Sequence, residues 1–434
     1  MIMAKLKAKW MQNRKKYITY VIVALVVFTA IAVFAFINRP MTRERFIASL
    51  TREDFIYDVD YMLTMLEENF PSFAIIYNRN GVDMHEMGRA VREYIANPDN
   101  EIDFYRFWEV LRYDYFAHAR HMGHLGTMSQ WGIYHWLGPQ YNRHFVNFAE
   151  GLNSPHSVLI YLPIPLEVRE DVAAENNRET NVTMEIIEDG KIAYLRVNAF
   201  LRHVGNSERR LVNSFYEEIA DFDHLIIDLR GNRGGWPEYF NELIAGPLLS
   251  STLYAHFLHF VPSNNRAFDS MRASGLSVRM RHQANIGRLG DILDEYAHYT
   301  ADFNYFHLET RRVDPVRRGG VRQGDFGWGF GGRIWMLIDG DMFSGSQIVA
   351  EFSKQTGFAT LVGELTGGAA PAPPPLTSSF FALPNTGIII RYDPTFVTNR
   401  YGRPMEYGTV PHYFNRPGMD ALETVLAMIA EGSY

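Results

Sequence analysis

The sequence predicts an α/β domain with a mixed sheet and helices, preceded by a small helical domain and one N-terminal transmembrane helix. Three observations carry that reading. The runs Ile192-Ala-Tyr-Leu-Arg-Val197, Leu225-Ile-Ile227 and Trp335-Met-Leu-Ile338 are apolar but too short for helices, and the amphipathic stretch Glu208–Ile219 lies between the first two, giving a βαβ rhythm. From Thr42 to about Trp131 the apolar residues recur instead at three- and four-residue spacings. Finally, Tyr17 to Ile37 is an apolar run free of charge and long enough to cross a bilayer as a helix.

Taken in chain order, residues 1–16 form a basic tail with Lys5, Lys7, Lys9, Arg14, Lys15 and Lys16. Cations before an apolar span place the N-terminus in the cytoplasm and the rest of the chain beyond the membrane. Phe34-Ala-Phe-Ile-Asn-Arg-Pro40 offers no small-x-small cleavage site, so residues 17–37 are expected to stay as a single-pass anchor. Residues 38–150 read as the helical domain, with Phe55, Val59, Met62, Leu63 and Leu66 on one face and Phe104, Phe107, Val110 and Leu111 repeating the pattern. Residues 151–183 read as a β-rich connector, with strands at Ser157–Ile164 and Val182–Ile187 flanking a charged stretch. The main α/β domain follows at 184–434. Within it, residues 237–332 interrupt the rhythm, and two readings stand open: a lid over the site, or an excursion with structure of its own. Phe380-Phe-Ala-Leu383 and Gly387-Ile-Ile-Ile-Arg391, joined at Pro-Asn-Thr-Gly, predict a β-rich edge.

Composition narrows the chemistry. Cysteine is absent, which removes disulfides, thiol nucleophiles and thiolate metal sites. The formal net charge of −7 grows more negative once the basic tail is set aside, so nucleic acid is not an expected partner. No cofactor motif is present. His118, His121 and His124 sit at three-residue spacing, but three ligands within two turns rarely converge without a carboxylate, and no metal is expected.

Two segments carry candidate chemistry, His224-Leu-Ile-Ile-Asp-Leu-Arg-Gly-Asn-Arg-Gly-Gly235 and Trp335-Met-Leu-Ile-Asp-Gly-Asp-Met-Phe-Ser-Gly-Ser-Gln347. Each is a short apolar run ending in a turn, and the second presents Ser344 just ahead of a helical stretch, Gln347–Lys354. A serine at a strand-to-helix turn beside a glycine loop is what acyl transfer requires: an exposed nucleophile next to backbone N–H donors. Ser346 falls at the helix start and reads as a capping or turn residue. The natural oxyanion donors are the N–H of Gly345 and one from Gly234 or Gly235. Asp228 and Arg230 read as fixing that loop. Lys354 lies ten residues beyond Ser344, roughly 15 Å along a helix, too far to act as its base.

Together these segments, with Gly190–Phe200, Val362-Gly-Glu-Leu-Thr-Gly-Gly368, Leu383-Pro-Asn-Thr-Gly387 and Glu406-Tyr-Gly-Thr-Val-Pro411, resemble the tail-specific (C-terminal processing) and tricorn-like serine peptidases, in the order those families use. The resemblance implies Ser344 as nucleophile, three residues before a position usually Glu and here Gln347, and it favours Gly235 as the second oxyanion donor. Ser–Lys members place their lysine where this chain has Ala369. Tricorn-like members take a histidine from a Gly-His-Thr loop, which points to His124 after Gly123, although Leu125-Gly126 replaces the threonine. Their supporting glutamate corresponds to Glu406, in a segment one residue short and ending in His412 instead of Asp. Glu364 reads as structural. About sixty residues separate His124 from Met184, too few for a PDZ module, and none is expected. The implied function is a membrane-anchored serine endopeptidase acting on peptides or protein tails outside the cytoplasmic membrane. The alternative is a catalytically silent peptide-binding or sensory protein on the same fold.

Overall fold

The computed structural model describes residues 41–119, 122–136, 154–170, 181–202, 204–262, 280–283, 285–286, 292–301, 303–316, 329–370 and 378–434. The expected anchor at 17–37 and its basic tail lie outside the described residues, as does His121. Among the described residues no helix is long and apolar enough to cross a membrane. The chain divides into two compact units, Met1–Ser49 and Leu50–Tyr434. In the first, the helix Arg43–Ile47 is capped by the Thr42 hydroxyl. The second holds all the strands and the remaining helices of the described residues.

Its N-terminal part is helical for local reasons. The helix Arg52–Asn69 opens on a reciprocal capping box between Thr51 and Asp54 and buries Phe55, Val59, Met62 and Leu66, the face that their spacing predicts. Helices Met84–Ala96 and Phe104–Glu109 start at aspartate caps, Asp83 and Asp103. The chain then reaches a two-residue strand, β1 (Gly126–Thr127).

The strand expected at Ser157–Ile164 is not formed; Pro155–Tyr161 is a helix. Proline at its first turn and serine before it are helix-start residues, and Ser157, Ile160 and Tyr161 form its buried face at helical spacing. The apolar run had concealed that periodicity. The second expected strand is present as β2 (Val182–Glu188), followed by β3 (Ile192–Val197), the helix Asn206–Glu218 and β4 (His224–Asp228).

The described residues within 237–332 include three strands. They contribute β5 (Leu253–Val261), β6 (Met280–His282) and β7 (Tyr305–Val313) to a four-stranded sheet. Beyond them come β8 (Arg333–Ile338), the helix Gly345–Thr356, β9 (Thr360–Gly363), β10 (Ser379–Ala382), β11 (Ile389–Tyr392), β12 (Phe396–Asn399) and β13 (Tyr413–Phe414). The chain closes with the helix Ala421–Glu431.

The central sheet runs β13-β9-β8-β4-β3-β2, parallel throughout except that β2 is antiparallel to β3. Alternate residues feed opposite layers. Leu225, Ile227, Met336, Ile338 and Leu361 pack with Val212, Phe215, Ile348 and Phe352 of two helices. Ile226, Trp335, Leu337 and Val362 pack on the other side with Val425, Met428 and Ile429 of the last helix. Burial on both faces explains why these strands read as continuous apolar runs. The remaining strands make two antiparallel sheets, β12-β5-β7-β6 and β1-β11-β10. The hairpin expected from Phe380 to Arg391 is β10–β11, in register Phe381↔Ile390.

Candidate active site

Parallel pairing brings the candidate turns together. Asp228 at the end of β4 is level with Leu337 of β8, and Ile338 with Gly363 of β9, so the loops after all three strands leave from one carboxyl edge. Ser344 stands at that edge, immediately before the helix Gly345–Thr356, with φ 61° and ψ −119°. Left-handed φ is costly for a residue with a Cβ, and it projects the side chain out of the turn where a strand feeds a helix. Ser346, expected near the cap, lies inside the first turn: its hydroxyl donates to Asn232 O at 2.6 Å and accepts from Phe343 N–H at 2.9 Å. It therefore ties the two loops together.

The glycine loop is pressed against this turn. Phe200 N–H donates to Gly234 O and Trp236 N–H donates to Phe200 O, both at 2.9 Å, which fixes Gly235 between them. At φ 115° Gly235 uses a conformation that L side chains rarely adopt, and a Cβ there would run into the Phe200 carbonyl oxygen. A Cβ on Gly345 would stand 2.5 Å from Gly235 O, so the two backbones touch. Asp228 and Arg230 hold the base of the loop: Asp228 accepts from Tyr194 Oη at 2.7 Å and from Arg230 Nη2 at 2.8 Å, while Arg230 Nη1 reaches Asp420 at 2.8 Å.

His124 meets Ser344 from the helical side. Its Nε2 lies 2.9 Å from Ser344 Oγ and its Nδ1 lies 2.6 Å from Asp393 Oδ2. Strand register accounts for this meeting. β1 pairs antiparallel with β11 as Gly126↔Arg391 and Thr127↔Ile390. Continued outward by two residues, that register sets His124 across from Asp393, and the Asp393 N–H donates to Gly123 O at 2.6 Å. Both side chains are nearly buried, 6% and 5% exposed. Burial pulls the His124 pKa down, partly opposed by the Asp393 charge. Burial works to raise Asp393, but the His124 charge and hydrogen bond, Arg391 and Ser378 together hold it below the ordinary carboxylate range. The pair is thus neutral imidazole and carboxylate, with Nδ1–H donating to Asp393 and the Nε2 lone pair facing the serine hydroxyl.

The carboxylate on His124 is therefore Asp393, where the sequence pointed to Glu406. Glu406 sits in the turn Met405–Tyr407, buried, with Oε2 lacking a hydrogen-bond partner among the described residues. Its backbone oxygen and that of Gly367 accept from Arg79 Nη1. Burial pushes the Glu406 pKa up to about 8, its own backbone N–H lowers it, the neighbouring Asp393 charge raises it, and Arg79 lowers it. At neutral pH it is an uncharged acid beside Asp393. No local motif marks Asp393 in the sequence. Its only sign is its position two residues past Arg391 at the end of an alternating strand.

The other candidates have structural partners. Gln347, in the place of the family's glutamate, is buried; its amide donates to Thr409 Oγ1 at 3.1 Å and its oxygen accepts from the Thr366 hydroxyl. Lys354 Nζ donates to Val410 O at 2.6 Å. Among the described residues no group of three His, Asp, Glu or Cys is arranged to hold a metal ion.

Residues 191–413, just over half of the chain, match peptidase family S41. Solved structures of the same fold include mature CPAF complexed with lactacystin, at TM-score 0.55 and 12% identity, covering 88% of this chain and 99% of that one. A candidate peptidase from Parabacteroides merdae ATCC 43184 superposes at TM-score 0.52 and 14% identity, covering 89% of this chain and 98% of that one. No curated protein sequence matches.

Proposed function

The chain belongs to peptidase family S41 and is a serine peptidase, and from that premise we propose that Ser344, His124 and Asp393 are its catalytic triad, with Gly235 and Gly345 supplying the oxyanion hole. The observation that carries this reading is the unbroken chain from Ser344 Oγ through His124 to Asp393, at 2.9 and 2.6 Å. Ser344 Oγ attacks the scissile carbonyl carbon while its proton passes to His124 Nε2, and Asp393 stabilises the imidazolium that forms. The carbonyl oxygen, now negative, is held by N–H donors. Gly235 pairs with Phe200 through the atoms of its neighbours, which leaves its own N–H out of that pairing, and the backbones of Gly235 and Gly345 touch; these two N–H groups are the donors this reading assigns. When the intermediate collapses, His124 returns the proton to the leaving amine, and water repeats the sequence on the acyl-enzyme.

The substrates are peptides or protein tails, cut internally, and the site works outside the cytoplasmic membrane, tethered by residues 17–37. The cations ahead of that apolar run favour this orientation. The silent-binder alternative is disfavoured by a neutral imidazole placed to take the serine proton. A fluorophosphonate tests both readings: it should label the wild-type protein at Ser344 and leave Ser344→Ala unlabelled. Absence of labelling on folded wild-type protein returns the chain to the binding class. For the tether, protease added to intact spheroplasts should digest the large domain, and full protection would overturn the orientation.

A further inference from the structure

Asp393 is gripped from behind as well as from the front. Ser378 Oγ donates to Asp393 Oδ1 at 2.6 Å, and its oxygen accepts two N–H groups of Arg391, from Nε at 3.0 Å and from Nη2 at 2.9 Å. With both guanidinium donors on its oxygen, the single Ser378 proton is aimed at the carboxylate. Register places the residues here. β10 pairs antiparallel with β11 as Ser379↔Tyr392, so Ser378 falls across from Asp393 on one side just as His124 does on the other. His124, Asp393 and Ser378 form one row across the end of the three-stranded sheet. Arg391 lies two residues before Asp393, on the same face of the strand.

We propose that Ser378 and Arg391 are positioning residues of this site: they fix the Asp393 carboxylate with Oδ2 on His124 and keep it ionised while leaving that oxygen free of the guanidinium. A direct arginine–aspartate fork would occupy both carboxylate oxygens and compete with the imidazole. The interposed hydroxyl bonds Oδ1 alone, so Oδ2 stays on the imidazole while the charge of Arg391 still acts on the pair through space. The inference rests on the triad reading above. Among the described residues, the groups that face Asp393 are His124, Ser378, Arg391 and Glu406, with Arg79 beyond Glu406. Glu406 stays uncharged through the acid range where His124 titrates, so among the described residues Arg391 is the cation that acts on His124 there. It holds down both His124 and Asp393.

The test uses the full chain and three variants, with active sites counted by fluorophosphonate so that misfolded molecules drop out of the rate. Ser378→Ala should lower kcat about tenfold to a hundredfold with KM within about twofold, and Ser378→Thr, which keeps the hydroxyl, should recover most of the loss. Arg391→Gln should move the acid limb of kcat/KM to higher pH by about one unit, because losing a nearby cation favours the imidazolium. A merely structural role would leave that limb in place. Wild-type rate and profile in Ser378→Ala would overturn the inference while labelling at Ser344 keeps the triad. Should Ser378→Ala fail to fold, an unmoved acid limb in Arg391→Gln overturns it instead. If the wild type is not labelled at all, the triad reading fails and this inference falls with it.

Discussion

The two halves of the candidate site are held by different kinds of sheet. Ser344 and Gly235 stand at the carboxyl edge of the parallel sheet, between neighbouring strands buried on both faces. His124 and Asp393 hang from the end of a small antiparallel sheet in which β1 contributes two residues. The first half is a local device: strand, turn and helix, each specified within about a dozen residues. The second is a long-range device, joining positions 269 residues apart through register. Ser344 is thus positioned by core packing and His124 by pairing, so the two halves should fail in different ways.

The largest effect tests whether the halves act as one. Ser344→Ala and His124→Ala should each cost about a millionfold in kcat, and the double variant little more, as residues that act as a unit do. Lys354→Ala should leave turnover near wild type. Single losses that multiply in the double variant would separate the halves again.

Next comes the identity of the carboxylate. Asp393→Asn should lower kcat by about ten-thousandfold through loss of the tautomer that exposes Nε2. Glu406→Gln should keep turnover within a few-fold. The opposite ranking would give the role back to Glu406. On the parallel side, Gly235→Ala is enough to disturb the loop, since even a methyl meets the Phe200 carbonyl. A loss of about a hundredfold or more in kcat with KM little changed is expected, the usual cost of one oxyanion donor.

The smallest effect is on stability. Burial raises the Glu406 pKa to about 8, so folding favours its protonated form. Its contribution is fully present below the ordinary carboxyl range and is lost as pH climbs through about 8, a cost on the order of a few kcal/mol. Glu406→Gln stays neutral, and its Tm should fall less than that of wild type between pH 6 and 9. Parallel curves would mean that Glu406 is ionised throughout.

The same division explains what was legible. The meeting of the Ser344 turn with the Gly234-Gly235 loop was legible because a strand, its turn and the helix that follows are written in consecutive residues. The helical face of Phe55, Val59, Met62 and Leu66 could be read from its period. Asp393 could not, because nothing near it in sequence says which strand it pairs beside. Glu406 was suggested by a resembling motif, yet burial with no partner on Oε2 makes it an acid and not an imidazole's carboxylate. The helix Pro155–Tyr161 was missed because Val158-Leu-Ile-Tyr161 is apolar enough to suit either period.

The pairing of β1 with β11, extended by Asp393 N–H to Gly123 O and by Met128 N–H to Ile389 O, makes the proposed triad depend on a contact remote from its nucleophile. On that reading, a substitution that unzips Gly123–Met128 from Ile389–Asp393 would part His124 from Asp393 and leave Ser344 in its turn without a base.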